Sequence, residues 1–330
     1  MSAREDSPQI SRRHFLQITA VASTVFLGGR WIQRLAQKNT TIHQTRLLMG
    51  TLINLILVTD DAEQGQQAID ATFAEMERLI ALFNWRQPDS PLAILNRSSR
   101  LAQPPAELVE LLQEANRCSR LSGGAFDVTI LPLLQAVQSR ADTAQPRQLV
   151  DYRRLHVTAD EIRLEPGMQV TLDSIAKGRV VDGATAVLQT HGYDNVLVEA
   201  GGDLLAQGSR ADGRPWRLVV THPRQTDSAL NILQLTNQAA ATSGDYQHSF
   251  SQDFSSHHIV DPRTGASPGE LASVTVLAPT AAAADALSTA VMVLGSKAGL
   301  AFIEQLPDVA TLMVTKEMNV IHSVNFPAVS

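Results

Sequence analysis

Residues 52–58 form a nearly unbroken apolar run, the pattern expected of a strand buried on both faces. Downstream, Ile69, Phe73, Met76, Ile80 and Phe83 recur at spacings of 4, 3, 4 and 3, which places them on one face of a helix. A second helix is predicted to begin near Pro105, with Leu108, Leu111, Leu112, Ala115 and Cys118 along one side, and to end at Gly123 and Gly124. The polar stretch 138–154 reads as a surface connection. Further on, 195–200, 216–221 and 273–277 read as strands, and helices are predicted over 178–191 and 280–294. No long linker or internal repeat interrupts this alternation from about Thr41 onward. The expectation is one compact α+β unit over residues 41–330, a mixed sheet packed with helices.

Composition narrows the class. Of 330 residues, 44% are hydrophobic and 18% charged, too apolar for a disordered chain and too interrupted for a polytopic membrane protein. The net charge is -6 and no long run of Lys or Arg occurs, so a nucleic-acid partner is not expected. One cysteine, Cys118, excludes an intramolecular disulfide, a CxxC pair and a thiolate zinc cluster. Its place on an apolar helix face reads as a small buried hydrophobe.

The first 38 residues read as an address. Arg12 and Arg13, followed by His14, Phe15 and Leu16, precede the modestly apolar run 18–29, as in a twin-arginine export signal. The run is shorter than the roughly 20 residues a membrane-spanning helix needs. Arg30, Trp31 and Arg34 stand where small cleavage-site residues are expected, which leaves an uncleaved anchor in the inner membrane open. No cysteine follows the run, so a lipoprotein is excluded. A periplasmic location is expected.

Candidate chemistry lies in five places. Asp285, Ser288 and Thr289 stand at i, i+3 and i+4, so three oxygen-bearing side chains share one helix face. Such a set suits magnesium, although the spacing alone more often describes a polar stripe facing water. Gly201, Gly202 and Asp203 follow a predicted strand, either as a tight turn or as a place where backbone amides approach a ligand. Residues 122–127 form another glycine turn, and Lys177 with Gly178 opens a helix whose N-terminal amides could face an anion. His257 and His258 precede Ile259, Val260, Asp261, Pro262 and Arg263, and an imidazole can accept a hydroxyl proton near neutral pH.

In order along the chain, these segments resemble the ApbE family, the FAD:protein FMN transferases. Met49-Gly50-Thr51 resembles its opening MGT, and Pro88-Asp89-Ser90 with Leu95 and Asn96 its PDS...LN element. Residues 122–129 read SGGAFDVT, 175–178 read IAKG with Asp182 beyond, and 191–203 carry HG...GGD. Residues 241–246 read ATSGDY, 258–265 read HIVDPRTG, and 284–289 read ADALST.

The resemblance implies that FAD is a substrate whose pyrophosphate is cleaved, with AMP leaving and FMN joined through phosphate to a threonine or serine hydroxyl of another protein. It implies a magnesium site made by Asp285, Ser288, Thr289 and the carbonyl of Ser174. It implies that His258 assists deprotonation of the acceptor hydroxyl, with Asp261 and Arg263 shaping its loop; replacement of the neighbouring His257 is expected to be mild. Met49, Ala125, Phe126, Asp127, Thr171, Lys177, Gly201, Gly202, Asp203, Ile259 and Asp261 fall where flavin contacts are expected. The implied acceptor carries a short Ser/Thr-containing motif in a subunit of a membrane redox complex. Two alternatives share the site: an FAD pyrophosphatase giving FMN and AMP, and a periplasmic protein that holds FAD without turnover. The chain departs from the family at Thr171, where Asp is usual, at Asp173, where Gly is common, and at Trp85 and Arg86, where an aromatic is displaced by one position.

Overall fold

The computed structural model describes residues 40–327. The export address predicted over 1–38 lies outside the described residues. Strands β1 (Thr40–Leu48) and β2 (Thr51–Thr59) form a hairpin, followed by α1 (Ala62–Phe83) and α2 (Pro91–Ser98). Next come β3 (Arg100–Ala102), α3 (Ala106–Leu121), α4 (Leu131–Gln138), α5 (Ala144–Gln148), β4 (His156–Val157) and β5 (Glu161–Arg163). The second half runs through α6 (Ala176–Thr190), β6 (Val196–Ala200), β7 (Asp203–Gln207), β8 (Trp216–His222), β9 (Gln225–Leu235) and β10 (Gln238–Gly244). It closes with β11 (Leu271–Ala278), α7 (Ala281–Ile303), β12 (Ala310–Thr315) and β13 (Val320–His322). This is an α+β architecture. Eight strands form one antiparallel sheet in the order β1-β2-β6-β7-β10-β11-β12-β13.

The run at 52–58 is continuously apolar because this sheet is covered on both faces. Ile53, Leu55 and Leu57 enter the core shared with α1, α3, α6 and α7. Ile56 and Val58 point the other way, into a second core with Trp216, Val220, Leu233 and Leu235 of the β8–β9 ribbon. The α1 stripe is core as expected: Ile69, Phe73, Met76 and Phe83 are buried. Cys118 is buried too, and burial pushes its thiol up to about 12, which makes it inert.

Two helices matter most for the site. At Gly178, on the first turn of α6, an added Cβ would lie 2.2 Å from the carbonyl oxygen of Ala281, so α6 and α7 meet backbone to backbone. Across the same contact the Asp182 carboxylate accepts from the amides of Ala281 (2.7 Å) and Ala282 (2.9 Å), capping α7 from outside. Burial holds the Asp182 carboxyl up at about 6. Helix α7 runs beyond the predicted end at 294 because the chain breaks at Gly295 (φ 78°) and restarts. The Glu270 carboxylate accepts from the Ser296 amide at 3.1 Å and so caps the second piece. The polar stretch 138–154 holds the short α5 and a single 3-10 turn at Tyr152–Arg154.

Candidate active site

The N-terminal turns of α6 and α7, the turn between β6 and β7, and the end of β10 converge. The amide of Gly178 donates to Asp285 Oδ2 at 3.2 Å. Asp203, which opens β7 and is almost fully buried, makes an ion pair with Lys177 of α6. The Asp285 carboxyl is held well above the ordinary carboxylate range, first by burial and then by the nearby Asp203, with Lys177 opposing. Two buried carboxylates thus share one lysine, and a further cation would relieve their repulsion.

The hydroxyls beside them supply more hard donors. Ser288 donates to the carbonyl of its own helix at Asp285 (2.8 Å) and lies 2.7 Å from Ser243 Oγ at the end of β10. Thr289 Oγ1 is 3.4 Å from the same Ser243 hydroxyl. Among the described residues no group of three His, Cys, Asp or Glu could hold a metal. A cation here would therefore rest on Asp285 together with hydroxyl and carbonyl oxygens. The all-oxygen donor set fits magnesium.

Two glycine turns interlock beside Asp203. Gly201 and Gly202 take φ values of 57° and 100°, and a Cβ on Gly201 would stand 2.5 Å from Thr51 Oγ1. The MGT turn carrying Met49 (φ 52°) is thereby seated on the GGD turn. Glu199, buried and with its carboxyl raised by desolvation, accepts from the Gly202 amide (2.7 Å) and from Asn54 Nδ2 (2.6 Å). It fixes the turn from below.

The 122–129 segment plays a different part. Ala125 and Phe126 are buried in the main core. Asp127 accepts from the amide and hydroxyl of Thr129 (2.8 and 2.7 Å) and from the amide of Tyr152 (2.9 Å), so its carboxylate is occupied with ordering its own turn. Thr171 is buried, and its amide donates to the carbonyl of Val128 (2.9 Å), tying this turn to the approach to Ser174 and α6. Ile259 is also buried in the main core.

The histidine loop follows β10, whose end carries Ser243. His258 donates its amide to the carbonyl of His248 (3.0 Å), and the two rings meet edge to face at 5.3 Å. Burial lowers its imidazole to about 4, with His248, His257 and Lys177 adding to the effect, and its buried Nδ1 has no hydrogen-bond partner among the described residues. Asp261 accepts from Arg263 Nε (2.8 Å), Nη2 (2.9 Å) and its amide (2.9 Å), a clasp that closes the loop after Ile259. His257 differs from the sequence expectation of a tolerant neighbour. It is fully buried, its amide bonds Ser267 Oγ (2.9 Å) and its Nε2 lies 3.2 Å from the Pro268 carbonyl. Its replacement would empty a core position.

Two of the departures from the resembled pattern meet in space. Trp85 Nε1 donates to Asp173 Oδ2 at 3.2 Å, Arg86 donates to Asp173 Oδ1 at 3.3 Å, and the guanidinium lies 4.1 Å from the Trp85 ring centroid. Asp173 thus stands with the displaced aromatic and its neighbour. Sequence reasoning missed Ser243, Glu199 and Asp245; the first and last lie inside ATSGDY, where only the motif, without periodicity, marks them.

Comparison with known proteins agrees over nearly the whole chain. The ApbE family matches residues 49–313. A relative from Vibrio cholerae named FAD:protein FMN transferase is 31% identical over 91% of this chain and 93% of its own length. Another of that name from Haemophilus influenzae is 31% identical over 75% of this chain and 78% of its own. Among solved structures, the flavin transferase ApbE from Vibrio cholerae superposes with a TM-score of 0.77 at 28% identity, covering 88% of this chain and all 100% of that one. The ApbE protein from Thermotoga maritima gives 0.80 at 25% identity over 87% and 98%. With the motif order, the antiparallel sheet and the α6–α7 contact all in place, this chain belongs to the ApbE family.

Proposed function

We propose that this transferase moves FMN from FAD to a threonine or serine hydroxyl of an acceptor protein, with magnesium at the Asp285 site. The acceptor oxygen would attack the FMN-side phosphorus; a new phosphoester bond forms, and the phosphoanhydride bond breaks with its electron pair leaving on AMP. His258 would take the hydroxyl proton. An imidazole lowered to about 4 is neutral at physiological pH and free to accept one. The carrying observation is the start of α6: Lys177 pairs with the buried Asp203 while the amide of its neighbour Gly178 donates to Asp285, so one cation and two buried carboxylates are held together. Asp285, Ser288, Thr289 and the Ser174 carbonyl would hold the metal, which when bound would neutralise charge on the phosphate oxygens. Relatives named FAD:protein FMN transferase support the reading.

The test is incubation of the mature chain with FAD, magnesium and candidate acceptors, weighing the acceptor for added FMN and assaying AMP. AMP with free FMN and an unmodified acceptor would make the protein a pyrophosphatase; FAD bound without AMP would make it a holder. The export reading is a proposal of the same kind, with an acceptor subunit of a membrane redox complex outside the cytoplasm. Replacing Arg12 and Arg13 by lysine keeps the charge and should leave the protein in the cytoplasmic fraction. An undiminished periplasmic signal would overturn it.

A further inference from the structure

Asp245, next to last in the ATSGDY motif, has no part in the chemistry above and is nonetheless fully buried. Its carboxylate takes a two-pronged hydrogen bond from Arg224, with Nη1 to Oδ1 and Nη2 to Oδ2 both 2.7 Å, and Lys316 Nζ stands 3.7 Å from Oδ2. The same cations reach a second point of the loop. The Arg224 guanidinium lies 4.3 Å from the centroid of the Phe254 ring, and Lys316 donates to the Phe254 carbonyl at 2.9 Å. Phe254 itself sits at φ 58°, a conformation a bulky side chain rarely adopts without outside support.

Arg224 and Lys316 come from different places. Arg224 is in the turn joining β8 to β9, its amide bonded to His222 Nδ1 (3.2 Å). Lys316 follows β12 and is anchored by its amide to the Glu270 carbonyl (2.9 Å). Between Asp245 and His258 the chain has no strand or helix and would lose much entropy on ordering. It is stitched internally by Phe250 N to Ser256 O (2.7 Å) and by His258 N to His248 O (3.0 Å). Fixing its start at Asp245 and its tip at Phe254 therefore fixes where the imidazole of His258 can stand.

We propose that Arg224, working with Asp245, Lys316 and Phe254, is a positioning residue that clasps the loop and sets the placement of His258 for proton transfer. The proposal rests on the reading of His258 as the base. Arg224→Lys keeps the charge but loses the fork and the flat face that stacks on the ring. It should lower kcat for FMN transfer by about ten- to a hundredfold, the scale of a small misplacement of a reacting group, and change FAD affinity less than about twofold. Phe254→Leu, which spares the buried ion pair, should move kcat in the same direction by less.

Two readouts separate positioning from general stability. In a His258→Ala background Arg224→Lys should cost nothing further in transfer, because it acts only through that ring. Amide exchange should quicken within residues 246–258 and stay unchanged in α7. An equal penalty in the His258→Ala background, a parallel loss of FAD affinity, or unaltered loop exchange would overturn the clasp. If His258→Ala itself transfers FMN at the wild-type rate, the base reading fails instead, and exchange alone then decides: quickening confined to the loop upholds the clasp, unaltered exchange overturns it.

Discussion

The two sides of the site are held by different means. The carboxylate side is built on backbone: α6 and α7 touch at Gly178 and Ala281, Asp182 caps α7 through two main-chain amides, and Asp285 accepts from a third at Gly178. The imidazole side is an irregular loop held by side chains, through Asp245 with Arg224 and through Asp261 with Arg263. Helix termini place charge rigidly because their amides cannot rotate away. A segment outside regular structure that is held by side-chain contacts opens more readily than one tied through helix amides.

Asp285→Ala should break the rigid side most completely. Transfer is expected to fall to background at limiting magnesium, while thermal stability changes little, because removing a carboxyl already disfavoured by burial relieves as well as costs. A variant with near-wild-type turnover under those conditions would remove Asp285 from the metal site.

On the other side, His258→Ala should lower transfer by roughly 10²- to 10⁴-fold with little change in FAD affinity. The pH dependence follows from the same residue. With its imidazole lowered to about 4, the free enzyme carries neutral His258 from pH 8 down to about 5, so protonation of this ring should lower kcat/KM only as pH drops through about 4, and any loss at higher pH should persist in the residual activity of His258→Ala. An acid limb centred near the ordinary histidine range would mean another group limits the rate.

Gly178→Ala tests the backbone contact without touching a charge. The added methyl would stand 2.2 Å from a main-chain oxygen, and neither helix can yield by rotating a side chain. A loss of about 1–3 kcal/mol or more in unfolding free energy is expected. A melting temperature unchanged from wild type would show that the helices can separate freely.

What the sequence reveals of these two sides is unequal for the same physical reason. The apolar stripe Ile69, Phe73, Met76 and Phe83 and the runs at 52–58 and 273–277 are visible because burial imposes a period on regular elements. Asp285, Ser288 and Thr289 share a face for the same reason. The continuation of α7 past Gly295 is hidden, since the glycine reads as an end and the cap that restarts the helix, Glu270, is far away in sequence. So are Arg224 and Lys316, whose partners lie in other turns and follow no period. The motif order located ATSGDY and HIVDPRTG, yet which of their residues touch a ligand and which hold the loop depends on contacts across the fold. His257, expected to be tolerant and found fully buried, shows that limit.

The smallest effect is expected where the chain departs from its family. Asp173→Gly would remove the acceptor of Trp85 Nε1 and the partner of Arg86, whose guanidinium stands 3.1 Å from Asp173 Oδ2. Both charged side chains are largely exposed, so solvent screens the pair and its loss should change unfolding free energy by less than about 1 kcal/mol. The indole and guanidinium should remain stacked, because their contact at 4.1 Å does not pass through the carboxylate. FAD affinity is the sharper measurement, as Asp173 immediately precedes Ser174 and the rigid side of the site. With Asp285 anchored to the amide of Gly178, that side should hold its geometry, and the affinity should stay within about threefold of wild type, less than 1 kcal/mol. A larger loss would show that the α6 approach depends on this surface cluster, and would move the boundary between the rigid and the adjustable side toward Ser174.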